Sequence, residues 1–288
     1  MDEIGVSGLT WNGVGRSEED LQDLCRNVEQ HYEEVVLEKK EGGERVIHKP
    51  SDELASVQEG IHKTYLQKAE WPKWLFGAGD GRAQRQNAKA HLGLNHHFVT
   101  DILSFYPSVS HRDVYDVFDS KINFTTEAAR LATRLTTYQG ELPQGTITSP
   151  RLADLAFLDI DRKLNSFCES RGIVYTRYAD DLTFSSGSSF KQDIPEIKKI
   201  VSRSDFRLHE GKKTSYKIGP IEVTGVIVTN NGLFAPPRLK KRLEELDPKS
   251  EEESDKWIGT LGYVRYIEPT FERWNIDAVD TISSSTEY

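Results

Sequence analysis

A chain of 288 residues with 36% hydrophobic and 10% aromatic side chains can bury one large or two modest cores, and no apolar run approaches the ~20 residues of a membrane-spanning helix. The opening MDEIGVSGLTWNG has neither the basic nor the apolar region of a secretory signal, and Cys25 and Cys168 fall in no metal-ligand spacing, so the expected setting is a reducing cytoplasm with no membrane partner. The net charge of −9 is unevenly spread: residues 1–44 and 243–288 each hold twelve acids and four bases, which leaves +7 for residues 45–242, where phosphate would be bound.

Residues 17–40 predict a helix, with Ser17 as N-cap, acids in the first turn, and Lys39 and Lys40 at the far end. Gly42 and Gly43 open a turn before the short strand ERVIHK. Ser51 caps a second helix whose stripe is Leu54, Val57, Ile61 and Tyr65. Pro72, Gly77, Gly79 and Gly81 make the next segment irregular. FVTDILSFYPSV reads as a strand ending in a turn, HRDVYDVF and LADLAFLDIDRKLNSF as helical, YTRYADDLTFSS as a hairpin and IEVTGVIV as a strand. PPRLKKRLEEL and WIGTLGYVRYI are helical, and SSSTEY at the end is expected to fray. Strands interleaved with helices, one tight hairpin among them, predict an α+β fold with an antiparallel sheet.

The chemistry concentrates in the hairpin. Asp180 and Asp181 are adjacent like charges between two runs of β-formers. A solvated turn tolerates that repulsion, whereas a turn pinned in a cleft needs a positive charge, typically a divalent cation. Asp101 ends the strand FVTD. If the two strands are neighbours in one antiparallel sheet, the three carboxylates converge and can hold two Mg²⁺ ions for nucleotidyl transfer. A strand-end cap is the structural alternative for Asp101.

FVTDILSFYPSV, LPQGTITSPRLADLAF and YTRYADDLTFSS, in this order, resemble the palm motifs of reverse transcriptases, with Tyr178-Ala179-Asp180-Asp181 as the YxDD box. QNAKAH, with Asn87, Ala88 and His91, resembles the NAxxH element of retron reverse transcriptases, and Val223-Thr224-Gly225 resembles their VTG element. The likeness runs from about Arg45 to Glu268. It implies a right-hand polymerase: N-terminal helices and fingers in residues 1–100, palm with inserted elements in 101–232, and a short helical thumb in 233–288.

The resemblance also implies roles. Asp101, Asp180 and Asp181 would be the catalytic metal ligands. Tyr106 would be the steric gate that excludes a 2′-OH, or else a core tyrosine. Gln144, between Pro143 and Gly145, would bond near the template, or else lie in a plain loop. Arg45 and Lys49 resemble the fingers cations that grip the dNTP triphosphate, although solvated cations are the common case. Asn87, His91, Val223, Thr224 and Gly225 would handle RNA, with a capping Asn and a hydrogen-bonded structural His as the alternative for the first two. Thr146 and Ile147 stand where the pattern favours small residues or Pro, and Tyr106 where the retron pattern has Phe.

The implied function is RNA-directed DNA synthesis on a structured non-coding RNA, primed from a 2′-OH of that RNA. The product would be an RNA–DNA hybrid, and the role antiphage defence with a separate effector protein. The rival readings are another defence-associated or group II intron-like reverse transcriptase, a non-catalytic RNA-binding scaffold, and a palm-type nucleotide cyclase. The last would have no need of a template-contacting PQG loop.

Overall fold

A computed structural model describes residues 3–9, 14–38, 43–77, 82–211 and 214–271. In chain order the elements are α1 (Glu18–Arg26), β1 (Tyr32–Glu38), β2 (Glu44–Pro50), α2 (Asp52–Thr64), β3 (Leu75–Phe76), α3 (Gln84–Lys89) and β4 (His96–Asp101). Next come α4 (His111–Asp116), α5 (Thr126–Thr136), α6 (Ser149–Glu169), β5 (Val174–Tyr178), β6 (Asp181–Ser186) and α7 (Ile194–Ser202). The chain continues with β7 (Ser215–Ile218), β8 (Ile221–Val223), β9 (Val226–Val228), β10 (Leu233–Phe234), α8 (Pro237–Glu245) and α9 (Ser254–Ile267). Two compact units result, each drawn from three stretches of chain.

The first unit comprises Met1–Lys73, Asp101–Phe167 and Pro195–Glu210. Ser17 starts α1 through a full capping box: its Oγ accepts from Asp20 N at 3.1 Å while Asp20 Oδ2 accepts from Ser17 N at 3.2 Å. The helix stops at Arg26, well short of the expected residue 40. Residues 32–38 are instead β1, paired antiparallel with β2 from Tyr32↔Pro50 to Glu38↔Glu44. Val35 and Val36 are β-branched, and their partners Ile47 and Val46 are too, so cross-strand packing overrides a spacing that also suits a helix. Lys39, Lys40 and Gly42 lie outside the described residues, as do Gly79, Gly81 and the C-terminal SSSTEY.

Helix α2 begins at Ser51 as expected, and it packs with α1 against α5. Leu21 and Leu24 of α1, Leu54, Val57 and Ile61 of α2, and the small residues Ala128, Ala129 and Ala132 of α5 are all buried. Gln58 is buried in the same unit, and its amide nitrogen donates to Leu135 O at 2.9 Å and Tyr32 OH at 2.8 Å, which offsets the cost of burying the donor end, while its Oε1 is buried without a hydrogen-bond partner. Neither α5 nor α7 was expected from the sequence.

The second unit comprises Trp74–Thr100, Cys168–Ile194 and Gly211–Tyr288. A five-stranded sheet has the order β3-β5-β6-β4-β7, with β3 parallel to β5, β5 antiparallel to β6 and β4 antiparallel to β7. A three-stranded sheet has the order β10-β9-β8. The segment IEVTGVIV, expected as one strand, is therefore a hairpin. Thr224 at φ +46° and Gly225 at φ +84° form its two-residue turn, a geometry that matches the twist of the strands it joins. Ile221, Val223, Val226 and Val228 pack with Ala88 of α3, Leu243 of α8 and Val264 and Ile267 of α9 into one buried cluster. The class is α+β with an antiparallel-rich sheet, as the sequence implied.

Candidate active site

Strands β5 and β6 pair from Val174↔Ser185 to Tyr178↔Asp181, which leaves Ala179 and Asp180 as a two-residue turn. Tyr175, Leu182 and Phe184 share one face of the hairpin and are buried, with the Tyr175 and Phe184 rings stacked at 4.9 Å, and Thr176, Thr183 and Ser185 of the other face are buried as well, so the hairpin is held on both sides. At its tip Asp180 is half-buried and Asp181 exposed. Ala179 has φ +53°, an unfavourable region for a residue with a Cβ. The fully buried Arg177 donates from Nη1 to Ala179 O at 2.9 Å. Nothing in the sequence marks Arg177 out, because an arginine is ordinarily solvated. Burial, with the Asp181 carboxylate adding to it, holds the Tyr178 hydroxyl above the ordinary tyrosine pKa.

Strand β4 lies beside β6 in the sheet. His97 Nδ1 is 2.8 Å from Ser185 Oγ, and the rings of Phe98 and Phe184 are 5.6 Å apart. A step forward along β4 is thus a step back along β6, and the two run antiparallel. In the first unit, the backbone leaving β4 is clamped: Asp101 O accepts from His209 N at 2.8 Å, and Leu103 N donates to Arg207 O at 2.8 Å. The Asp101 side chain is buried. Tyr106 is half-buried with its ring 5.7 Å from that of Phe105, itself packed against Phe157 and Phe206.

The PQG loop docks on β2. Gln144 O accepts from His48 N at 2.7 Å, and Arg45 Nε donates to Gln144 Oε1 at 2.6 Å. Gly145 has φ +108°, and a Cβ there would lie 3.3 Å from both His48 O and Ile47 Cβ. Two of the expected nucleotide-binding residues are therefore in direct contact, and Lys49, exposed, shares the strand face of Arg45 by alternation. The departure at Thr146 has a local cause: its buried Oγ1 accepts from Ser149 N at 3.3 Å at the start of α6, and Ser149 Oγ donates to Pro143 O at 2.5 Å.

The NAxxH and VTG segments also meet. Asn87 is buried, and its Nδ2 donates to Thr224 Oγ1 at 3.3 Å. Helix α3 ends at Lys89, so His91 sits in the turn beyond it, fully buried, with Nε2 2.7 Å from Thr176 Oγ1 of β5. Burial, and secondarily His97, pushes the His91 pKa down to about 3. Val223 is buried, whereas Thr224 and Gly225 keep some surface. A Cβ on Gly225 would sit 3.8 Å from Arg238 Nη2 and 4.0 Å from Tyr263 Oη.

Among the described residues, no group of three or more His, Cys, Asp or Glu side chains is drawn together closely enough to hold a metal ion, and no helix is long and apolar enough to cross a membrane. Residues 37–228 match the family model described as reverse transcriptase (RNA-dependent DNA polymerase). The chain belongs to the reverse transcriptase family. The Retron Se72 reverse transcriptase of Salmonella heidelberg (strain 579083-10) is 27% identical over 270 residues, covering 90% of this chain and 67% of the relative. The Retron Ec86 reverse transcriptase of Escherichia coli is 33% identical over 192 residues, covering 66% and 57%. These relatives place the chain with the retron-type members of the reverse transcriptase family. Among solved structures, telomerase from Candida albicans with a fragment of telomeric RNA superposes with a TM-score of 0.51 at 11% identity, covering 74% of this chain and 50% of that one. The foamy viral protease-reverse transcriptase bound to an RNA/DNA hybrid also gives 0.51, at 16% identity, covering 82% and 27%. Both likenesses bear on the reverse transcriptase fold alone.

Proposed function

We propose that the chain is an RNA-directed DNA polymerase that copies a structured non-coding RNA into single-stranded DNA, primed from a 2′-OH of that RNA, in a defence system with a separate effector. The observation that carries the catalytic part is the tip of the β5–β6 hairpin, where two adjacent carboxylates stand on a fixed turn. Strand order supports the third: β4, which ends in Asp101, is hydrogen-bonded to β6, which begins with Asp181.

In this reading Asp101, Asp180 and Asp181 hold two Mg²⁺ ions. Carboxylates are the oxygen donors that a hard divalent cation takes, so the chemistry of the donors fits, and binding would have to draw the three side chains closer than they stand in the structure. Bound there, the ions would lower the pKa of the primer hydroxyl and offset charge on the leaving pyrophosphate. The hydroxyl oxygen bonds to the α-phosphorus of the dNTP as the bond to pyrophosphate breaks. Arg45 and Lys49 hold the triphosphate, with Gln144 orienting Arg45 through the 2.6 Å bond. Tyr106 excludes the 2′-OH of the incoming sugar. Thr224 and Gly225 face the cognate RNA, while Asn87, His91 and Val223 shape that surface from within. Fingers, palm and thumb divided near residues 100 and 232 belong to the same reading.

The alignments to the Se72 and Ec86 relatives span 67% and 57% of their lengths, so activity, template and partners are argued from the site and the resemblance. Extension of a primed RNA template with Mg²⁺ tests the chemistry. Asp180→Asn with Asp181→Asn should abolish dNTP incorporation while RNA binding persists; retained synthesis sinks the assignment. Sequencing the co-purified nucleic acid tests the substrate, the expected species being a short DNA joined to RNA through a 2′–5′ linkage.

A further inference from the structure

Arg177 is fully buried, an uncommon position for a guanidinium. Its backbone is braced from the neighbouring strand: Arg177 N donates to Trp74 O at 2.9 Å, and Arg177 pairs in parallel register with Leu75 of β3. Strand β3 is held in turn by Arg82, whose Nη1 donates to Leu75 O at 2.7 Å. From that base the Arg177 guanidinium reaches the carbonyl of Ala179 at 2.9 Å.

That carbonyl belongs to the peptide unit joining Ala179 to Asp180. A peptide is planar, so fixing its oxygen fixes the plane from which Asp180 departs. Ala179 at φ +53° is a strained residue, and strain of this kind persists only where the surroundings over-determine it. The guanidinium is also a permanent cation, bonded to the same turn that carries the two adjacent carboxylates.

We infer that Arg177 is a positioning residue for the polymerase reaction: it pins the Ala179–Asp180 peptide and keeps the strained turn closed, so that the tip is set before a divalent cation or dNTP arrives. The inference rests on the reading of Asp180 and Asp181 as the catalytic carboxylates. Lysine keeps the charge but lacks the rigid planar fork, methionine lacks both, and glycine at position 179 takes positive φ without strain.

The test compares the wild type, Arg177→Lys, Arg177→Met and Arg177→Met combined with Ala179→Gly. Each is measured for melting temperature, Mn²⁺ binding by electron paramagnetic resonance, and single-turnover extension per folded molecule. Arg177→Met should weaken Mn²⁺ binding and slow extension by about tenfold or more, with Arg177→Lys intermediate and RNA binding unchanged. Adding Ala179→Gly should restore part of both losses. Wild-type Mn²⁺ affinity and extension rate in the folded fraction of Arg177→Met, or no recovery on adding Ala179→Gly, overturns the inference. If Arg177→Met does not fold, Arg177→Lys with and without Ala179→Gly decides it by the same measurements. Absence of synthesis by the wild type on any primed RNA, with the Mn²⁺ loss and rescue intact, would overturn the polymerase reading and still support the pin.

Discussion

The side-chain amide of Asn87 donates to the hydroxyl of Thr224 at 3.3 Å, across 137 positions of sequence, and so ties α3 to the turn between β8 and β9. Asn87 is buried and the turn is only partly so, and the bond carries a buried constraint to a surface open to solvent. Asn87→Ala and Thr224→Ala should each destabilise the fold, with a coupling of about 1 kcal/mol between them in a double-mutant cycle. Initiation on the cognate RNA should fall more than extension of a generic annealed primer. Equal losses in the two assays would make the pair purely structural.

Tyr106→Ala should relax sugar discrimination, because it removes a half-buried ring without removing a carboxylate. The measurement is the ratio of rNTP to dNTP incorporation on one template. An unchanged ratio assigns Tyr106 to the packing around Phe105.

Gly145→Ala should be costly for two reasons that act together. The backbone is at φ +108°, and the new Cβ would press on His48 O and Ile47 Cβ at 3.3 Å. A loss of about 1–3 kcal/mol is expected, read by chemical denaturation. The loop also presents Gln144 to Arg45, so the KM for dNTP should rise more than kcat falls. A wild-type KM would detach the PQG loop from nucleotide binding.

His91 should make stability fall on the acid side. Burial holds its folded pKa near 3 against an ordinary 6.5, so below 6.5 the unfolded chain takes up a proton that the folded chain refuses. Its contribution is complete above 6.5 and is lost as pH falls toward 3, at a limiting slope of about 1.4 kcal/mol per pH unit. His97, also held below its ordinary value chiefly by burial, adds in the same direction. Urea unfolding between about pH 7 and about pH 5 should show a shallower acid slope for His91→Gln than for the wild type. Identical slopes would refute it.

The β5–β6 hairpin was legible because its signals are local: β-formers stand on either side of a short tip, and Ser17 and Ser51 announce their helices by similarly local signals. Strand β1 was not legible, because the acids and apolar residues of HYEEVVLE fit a helix as well, and only pairing with β2 decides between them. The β-branched run IEVTGVIV conceals its turn for a related reason: Thr224 is a poor advertisement for positive φ, and Gly225 alone marks the reversal. Arg177 and the contact between Asn87 and Thr224 are consequences of burial and long-range closure, which composition and spacing do not encode. Helix α5 did leave a trace: Thr125 is a capping residue, and the apolar and charged side chains of residues 126–136 segregate onto opposite faces.

Interleaving of the two units sets an order on folding. Any cut between residues 74 and 210 divides both, so neither half of the chain contains a complete unit. Strand β4, with Phe98 and Val99, is made long before β6 and β7, the strands that flank it. At about 5–20 residues per second, β4 leaves the ribosome on the order of ten seconds before Ile218 closes the sheet. Through that interval a strand carrying Phe98 and Val99 has both edges open, the condition in which a nascent chain most needs a chaperone and most readily finds the wrong partner.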